Sequence, residues 1–345
     1  MNYPVFLALI LALVAAVAWP RFGLLALWQR LRANRRRIRT EDALKHLHAC
    51  AWRGQSATLQ SLAGALHLTL AGAVRLVGEL EAQGLLRAAE DGLHLTPDGE
   101  QIAVAVIRAH RLWERYLVDE ARMPLAEVHH EAERREHSRS AEALGALDAA
   151  LGHPAADPHG DPIPTVTGRI ERVESRPLTD WPLDAPARIV HLEDEPAALF
   201  AQIAAEGLRP GQTLRVLESA PQRLTLSDGR KTFALAPLVA ANIFVAPEPA
   251  NGHPADRRLT ALKQGERALV RALDDGLQGF TRRRLLDLGL TPGVPVTAEL
   301  PSLFGDPVAY RVRGTLIALR RDQAEQVLIA EPASAAPAPS PSAQE

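Results

Sequence analysis

Two short stretches, residues 110–119 and 128–137, limit this chain more than any others. The first reads H-R-L-W-E-R-Y-L-V-D and the second V-H-H-E-A-E-R-R-E-H. His110 and Glu114 stand four apart, and Glu133, Glu136 and His137 stand at i, i+3 and i+4. Side chains at those spacings share one face of a helix. Two helices therefore each present carboxylate and imidazole groups on one side. A donor set of oxygen and nitrogen suits a hard or borderline divalent cation. The plainer alternative is a solvated charged face, because Glu, Arg and His are mostly exposed.

The flanking residues favour the metal. The stretch is entered through L-T-P-D-G-E and left through H-P-A-A-D-P-H-G-D-P-I-P. With the two helical segments between them, these motifs resemble the metal-binding and dimerisation domain of the DtxR/MntR family of iron- or manganese-dependent repressors, over residues 97–164. The resemblance implies Glu133, Glu136 and His137 as main ligands. His110, Glu114 and His129 match the family's other metal-associated positions. It also implies a ligand from the first helix of the preceding domain, where T-E-D-A-L places Asp42. Lys45 occupies the position of a second carboxylate in the manganese-type proteins, and its charge would repel a second cation. The implied metal is Fe²⁺ or Mn²⁺. The implied assembly is a homodimer held by residues 99–151, where Leu112, Leu117, Leu144 and Leu147 recur at helical spacing. His153, Asp157, His159 and Asp161 read as turn chemistry in a proline-rich exit loop, and no site is assigned there.

Before this domain, residues 40–96 read as a winged helix-turn-helix similar to that of the same repressors. Thr58 is placed to cap a helix from Leu59, and a third helix runs from Leu70 to a stop at Gly84. A hairpin turning at Asp91-Gly92 comes next. Thr96 and Pro97 then open another helix. The third helix would read DNA, yet Thr69 and Arg75 are its main polar candidates. Base edges and phosphates call for more Arg, Lys, Asn or Gln than this.

The N-terminus is of another kind. Residues 4–19 are nearly all apolar, and six arginines lie between Arg30 and Arg39. A membrane span needs roughly 20 apolar residues. Positive charge after the run orients the rest of the chain toward the cytoplasm. The reading is a single-pass anchor over residues 1–29 and a basic juxtamembrane segment over 30–39. The protein would sit in the cell membrane with its C-terminal domains inside.

After Pro164 an internal repeat appears. A-E-G-L-R-P-G-Q-T-L-R-V at residues 205–216 parallels D-L-G-L-T-P-G-V-P-V at 287–296. Each places a helix-like stretch before G-L-x-P-G and a strand after it. Both copies resemble the FeoA family of small SH3-like barrels, the second (258–330) more fully than the first (183–245). Linkers are expected at 165–182 and 246–257. The Ala-, Pro- and Ser-rich tail at 331–345 is expected to be disordered.

The expected fold class is therefore multidomain α+β. It comprises an N-terminal transmembrane helix, a winged helix, an all-α metal-binding domain and two SH3-like barrels. One cysteine, Cys50, excludes a disulfide framework and a zinc ribbon. No catalytic triad, P-loop or dinucleotide loop is present, so no enzyme is expected. The leading function is a metal-dependent transcriptional regulator binding operator DNA as a dimer. The alternative is a membrane-anchored accessory protein of ferrous-iron transport, its FeoA-like part touching a transporter.

Overall fold

The computed structural model describes residues 24–138, 140–171, 173–248, 257–274, 276–301 and 305–330. The apolar run at 4–19 and the tail at 331–345 lie outside them. Among the described residues no single helix is long and apolar enough to cross a membrane. The chain divides after Arg108 into two compact units.

The first unit opens with α1, Leu24–Trp52, a single helix where the sequence suggests a basic segment and then a separate helix. Ala43, Leu44, Leu47 and Cys50 of its second half are buried. They pack with Leu62, Leu76, Val77, Leu80 and Leu93 in one core. Helix α2, Leu59–Ala65, starts at the expected cap: Thr58 Oγ1 accepts from Ser61 N, and Ser61 Oγ accepts from Thr58 N. Helix α3, Leu70–Ala82, lies at 104° to α2. Strands β1, Leu86–Ala89, and β2, Gly92–Leu95, form an antiparallel hairpin. Ala89 pairs with Gly92, so the turn is Glu90-Asp91, one residue earlier than the sequence suggests.

Helix α4, Pro97–Asp119, begins as expected, with Thr96 Oγ1 accepting from Gly99 N. A Cβ on Gly99 would stand 1.9 Å from the Leu85 carbonyl oxygen. Backbone cannot yield cheaply, so Gly99→Ala is expected to destabilise this unit by about 3 kcal/mol or more in urea unfolding. Gly64→Ala, in open space on α2, is expected to stabilise by about 0.5–1 kcal/mol. Equal midpoints for the two variants would contradict the packing.

The second unit contains the rest of α4, then α5, Leu125–Arg135, and α6, Ala141–Ala150. Their core is Leu112, Trp113, Leu117, Val128, Ala132, Leu147, Leu151 and Ile163, with Leu144 packed against it. The leucines that read in the sequence as a dimer seam therefore fill the protomer's own core. Periodicity reports that a face is apolar but not what covers it.

Two six-stranded antiparallel sheets come after the helices, with the same topology. In the first the order is β3, Arg176–Pro177; β8, Ile243–Pro247; β4, Pro186–Leu192; β5, Thr213–Ala220; β6, Arg223–Ser227; β7, Thr232–Leu235. Helices α7, Ala197–Glu206, and α8, Pro237–Ala240, complete it. In the second the order is β13, Thr315–Leu319; β12, Val308–Val312; β11, Pro295–Pro301; β10, Arg267–Leu273; β14, Val327–Ala330; β9, Arg257–Arg258. Its helices are α9, Gly279–Asp287, and α10, Arg321–Ala324. The repeated turn recurs in both copies, with Gly207 and Gly289 at positive φ and Leu208 and Leu290 buried behind them. The first sheet starts earlier than residue 183, because Leu178 and Trp181 are buried in its core.

Within the second unit, α9 docks on the helical part through a buried ionic junction. Asp119 lies between Arg115 and Arg282, with Arg115 Nε at 2.9 Å and Arg282 Nε at 3.3 Å from its Oδ2. Both arginines are at most 1 % exposed. Arg283 pairs with Glu120 at 2.6 Å, and Leu286 packs against Gly152.

Candidate metal centre

Helix α4 sets the centre. His110 and Glu114, one turn apart, both lie on its buried side, and Glu114 is 1 % exposed. His110 Nε2 is 3.0 Å from Glu114 Oε1 and 3.3 Å from His129 Nδ1 of α5. His110 Nδ1 is 2.5 Å from Glu136 Oε2. Helix α5 ends at Arg135, and Glu136 is its C-terminal cap, with its N–H still bonded to Ala132 O. Glu136 and His137 therefore continue the helical spacing only through a final turn. His137 Nε2 lies 3.5 Å from Glu136 Oε1. Glu133 is half exposed and turns the other way, 3.6 Å from His129 Nε2.

Two residues not assigned from the sequence enter the cluster. Asp194 comes just after β4 of the first sheet, and its Oδ2 is 2.7 Å from His129 Nδ1. His159, fully buried, brings Nδ1 to 3.7 Å from Glu114 Oε2. His110, Glu114 and His129 form one group of donor atoms within 4.8 Å of one another, and Glu114, His159 and Asp194 form another. Glu114 belongs to both.

The His159 loop is turn chemistry as well. Asp157 Oδ1 accepts from His159 N at 2.8 Å and Asp161 N at 3.0 Å. Arg111 holds the loop to α4, donating to Pro162 O at 2.5 Å and lying near Asp157 and Asp161. Gly160, at φ 96°, comes so close to Val190 that a Cβ would stand 2.0 Å from its carbonyl oxygen. Leu192 N donates to His159 O at 2.8 Å. The visible signal for His159 is the H-G-D-P-I-P motif. Asp194 carries none, since its partner His129 is on a different domain.

The electrostatics arise from burial. Desolvation opposes charge on Glu114, but His110 and His159 outweigh it and hold its carboxyl well below the usual range. Burial likewise opposes charge on His129, yet Asp194, Glu114 and Glu133 push its pKa up to about 12. His159 rises to about 10 against desolvation, through Glu114 above all. Burial, then Asp161 and Glu114, push Asp157 up to about 7.

These contacts test the fit of a cation. Both ring nitrogens of His110 face carboxylate oxygens, so with protons alone the three groups must hold one proton beyond the neutral imidazole's own. His129 and His159 are held protonated by their neighbours as well. A divalent cation binding neutral imidazoles and ionised carboxylates replaces those protons with one compact charge. His159 Nε2 is in addition buried without a hydrogen-bond partner among the described residues. The oxygen and nitrogen donors fit Mn²⁺ or Fe²⁺.

The first-unit candidates take these places. Asp42 is half-buried on α1. Thr69 caps α3, its Oγ1 accepting from Gly72 N at 3.2 Å. Arg75 is exposed on α3 together with Leu70, Val74 and Glu79.

Comparison with known proteins agrees with this picture. A family profile described as "Iron dependent repressor, metal binding and dimerisation domain" matches residues 96–165. The FeoA domain matches twice, at 176–247 and 257–331. The iron-dependent repressor IdeR of Mycobacterium tuberculosis is 47% identical over 89 residues, 26% of this chain and 39% of that protein. The chain thus spans about two fifths of the length of the curated relatives that it matches over this stretch. IdeR of Mycobacterium leprae is 34% identical over 159 residues, 42% of this chain and 68% of that protein. A solved structure described as a manganese-dependent transcriptional repressor complex with manganese is 30% identical, with a TM-score of 0.55. It is covered over 100% of its length by 61% of this chain. With two thirds of an iron-dependent repressor matched in sequence and the whole of a manganese-dependent one in structure, the chain belongs to the DtxR-type family of iron-dependent repressors, extended by a repeated FeoA domain.

Proposed function

We propose that the protein is an Fe²⁺- or Mn²⁺-dependent transcriptional repressor that binds DNA as a homodimer. The observation that carries this reading is the convergence of His110, Glu114, His129 and Glu136 with Asp194 in one buried cluster. The metal would be held there, with His159 as a further donor. When bound it supplies a charge that joins segments from α4, α5 and the first sheet. Metal can favour one arrangement of the protein only by the difference in its affinity between states. Glu133, His137 and Asp42 are kept as proposed ligands, as the family resemblance implies.

DNA binding is proposed through α2 and α3, read with the hairpin as a winged helix. Arg75 would face the duplex, and the arginines of α1 would serve phosphates. A selection from random duplexes by the full chain tests it. Enrichment is expected with Mn²⁺ and not with EDTA, and affinity should fall steeply with salt. A pool left unenriched with Mn²⁺ would overturn the repressor reading. Sedimentation in the same buffers reads the proposed dimer, and a monomer in both would remove it.

A second reading, attachment to the membrane beside a ferrous-iron transporter, is favoured by one feature of α1. Leu24, Leu25, Leu27, Trp28 and Leu31 are all at least half exposed, and the arginine cluster begins among them. Apolar groups beside arginines suit an anionic lipid surface. Recovery of the full chain from cells in the soluble fraction alone would count against it.

A further inference from the structure

The loop that carries His159 is held from three directions. Arg111 of α4 holds it at Pro162, and the first sheet holds it at His159 O and Gly160. The third hold comes from the second sheet's module, where Gln278 Nε2 donates to Pro158 O at 2.9 Å. Gln278 is the residue just before α9, and both of its neighbours are fixed to α4. Leu277 O accepts from Arg115 Nη2 at 2.5 Å, and Gly279 N donates to Asp119 Oδ1 at 2.6 Å. Asp119 is in turn clamped by Arg115 and Arg282, and Arg282 Nη2 donates to Leu151 O at 3.2 Å. Arg115 adjoins Glu114, the carboxylate common to both donor groups, and Pro158 adjoins His159. The second module thus grips α4 one residue from one metal-site residue and the exit loop one residue from another.

We propose that the second FeoA domain is an internal clasp on the metal centre, with Gln278 as a positioning residue that sets His159 against Glu114. This rests on the reading of the cluster as a metal site. Proline fixes φ at position 158, so the Gln278 bond to its carbonyl constrains the peptide that leads directly into His159. Coupling of this kind is reciprocal. If docking of the module strengthens metal binding, metal strengthens docking by the same factor. The second copy of the repeat then has a role that differs from the first. The first gives Asp194 to the cluster directly, and the second acts through the loop.

The test is Mn²⁺ titration of the full chain by calorimetry. Gln278→Glu, which removes the donor at nearly unchanged size, and Arg282→Leu are each expected to weaken binding by about tenfold. Arg311→Ala, on the same module but paired there with Glu299 and Gly314, should leave it unchanged. In wild type, Mn²⁺ should slow amide hydrogen exchange at residues 277–279, and His159→Ala should remove that protection. A purely structural contact would give neither the metal-linked protection nor its loss. Wild-type affinity in Gln278→Glu and Arg282→Leu beside weakened binding in Glu114→Ala overturns the clasp and leaves the metal site standing. Wild-type affinity in all three overturns both. Should Arg282→Leu fail to fold, Gln278→Glu decides alone.

Discussion

Glu114→Ala is expected to weaken Mn²⁺ binding by about 100-fold or more, while the protein stays folded. Loss of an outer-shell partner alone typically costs about 10–100-fold in metal affinity, and Glu114 is the one carboxylate common to both donor groups. Its removal leaves His110, His129 and His159 without their shared anion. Glu133→Ala provides the contrast. Glu133 is half exposed, beside the outer nitrogen of His129 and the exposed ring of His130, so its loss is expected to cost about tenfold or less. Calorimetry on both variants, with circular dichroism as the check on folding, reads the difference. Equal losses would place Glu133 in the same rank as Glu114.

Asp119→Ala should have the largest effect on stability. Asp119 is 4 % exposed and lies between two arginines that are themselves buried. Breaking a buried ion pair by deleting one partner costs about 3–5 kcal/mol, because a charge is left uncompensated in low dielectric. Here two arginines lose the same carboxylate. The Gly279 amide also loses its acceptor. Urea unfolding of the full chain is expected to show a first transition at markedly lower denaturant, with exposure of α9 in hydrogen exchange. Arg283→Ala is the surface counterpart. Its pair with Glu120 is partly solvated, and exposed pairs contribute about 1 kcal/mol at most. If Asp119→Ala unfolds at the wild-type midpoint, the junction does not hold the second module.

The parts of this architecture that are legible in the sequence are the local ones. Caps at Thr58 and Thr96 announce their helices because a hydroxyl three residues before an amide is a short-range signal. The paired G-L-x-P-G turns disclose the repeat because each copy folds on its own neighbours, and the two sheets share their strand order. His110, Glu114 and His129 can be assembled from helical spacing and family resemblance. Asp194 cannot, since nothing within H-L-E-D-E-P marks a residue that will reach α5. His159 is visible but is already explained by the turn it also makes. Arg115, Asp119 and Arg282 escape notice for a different reason. Charged residues are rarely buried unless paired, and although Arg115 and Asp119 pair one turn apart, Arg282, the second arginine on Asp119, comes from more than 160 residues away. The leucines of α4 and α6 show the converse. Their apolar face is evident, and only packing reveals that the protomer itself covers it.

Anomalous diffraction at the manganese edge, from crystals of the protein grown with Mn²⁺, tests most directly whether the buried cluster on α4 is a divalent-metal site completed by the first FeoA domain. A peak is predicted within coordinating distance of Glu114 and at least one of His110, His129 and His159, on the side of Asp194. Full occupancy of a peak elsewhere in the chain, with no density at Glu114, would contradict it.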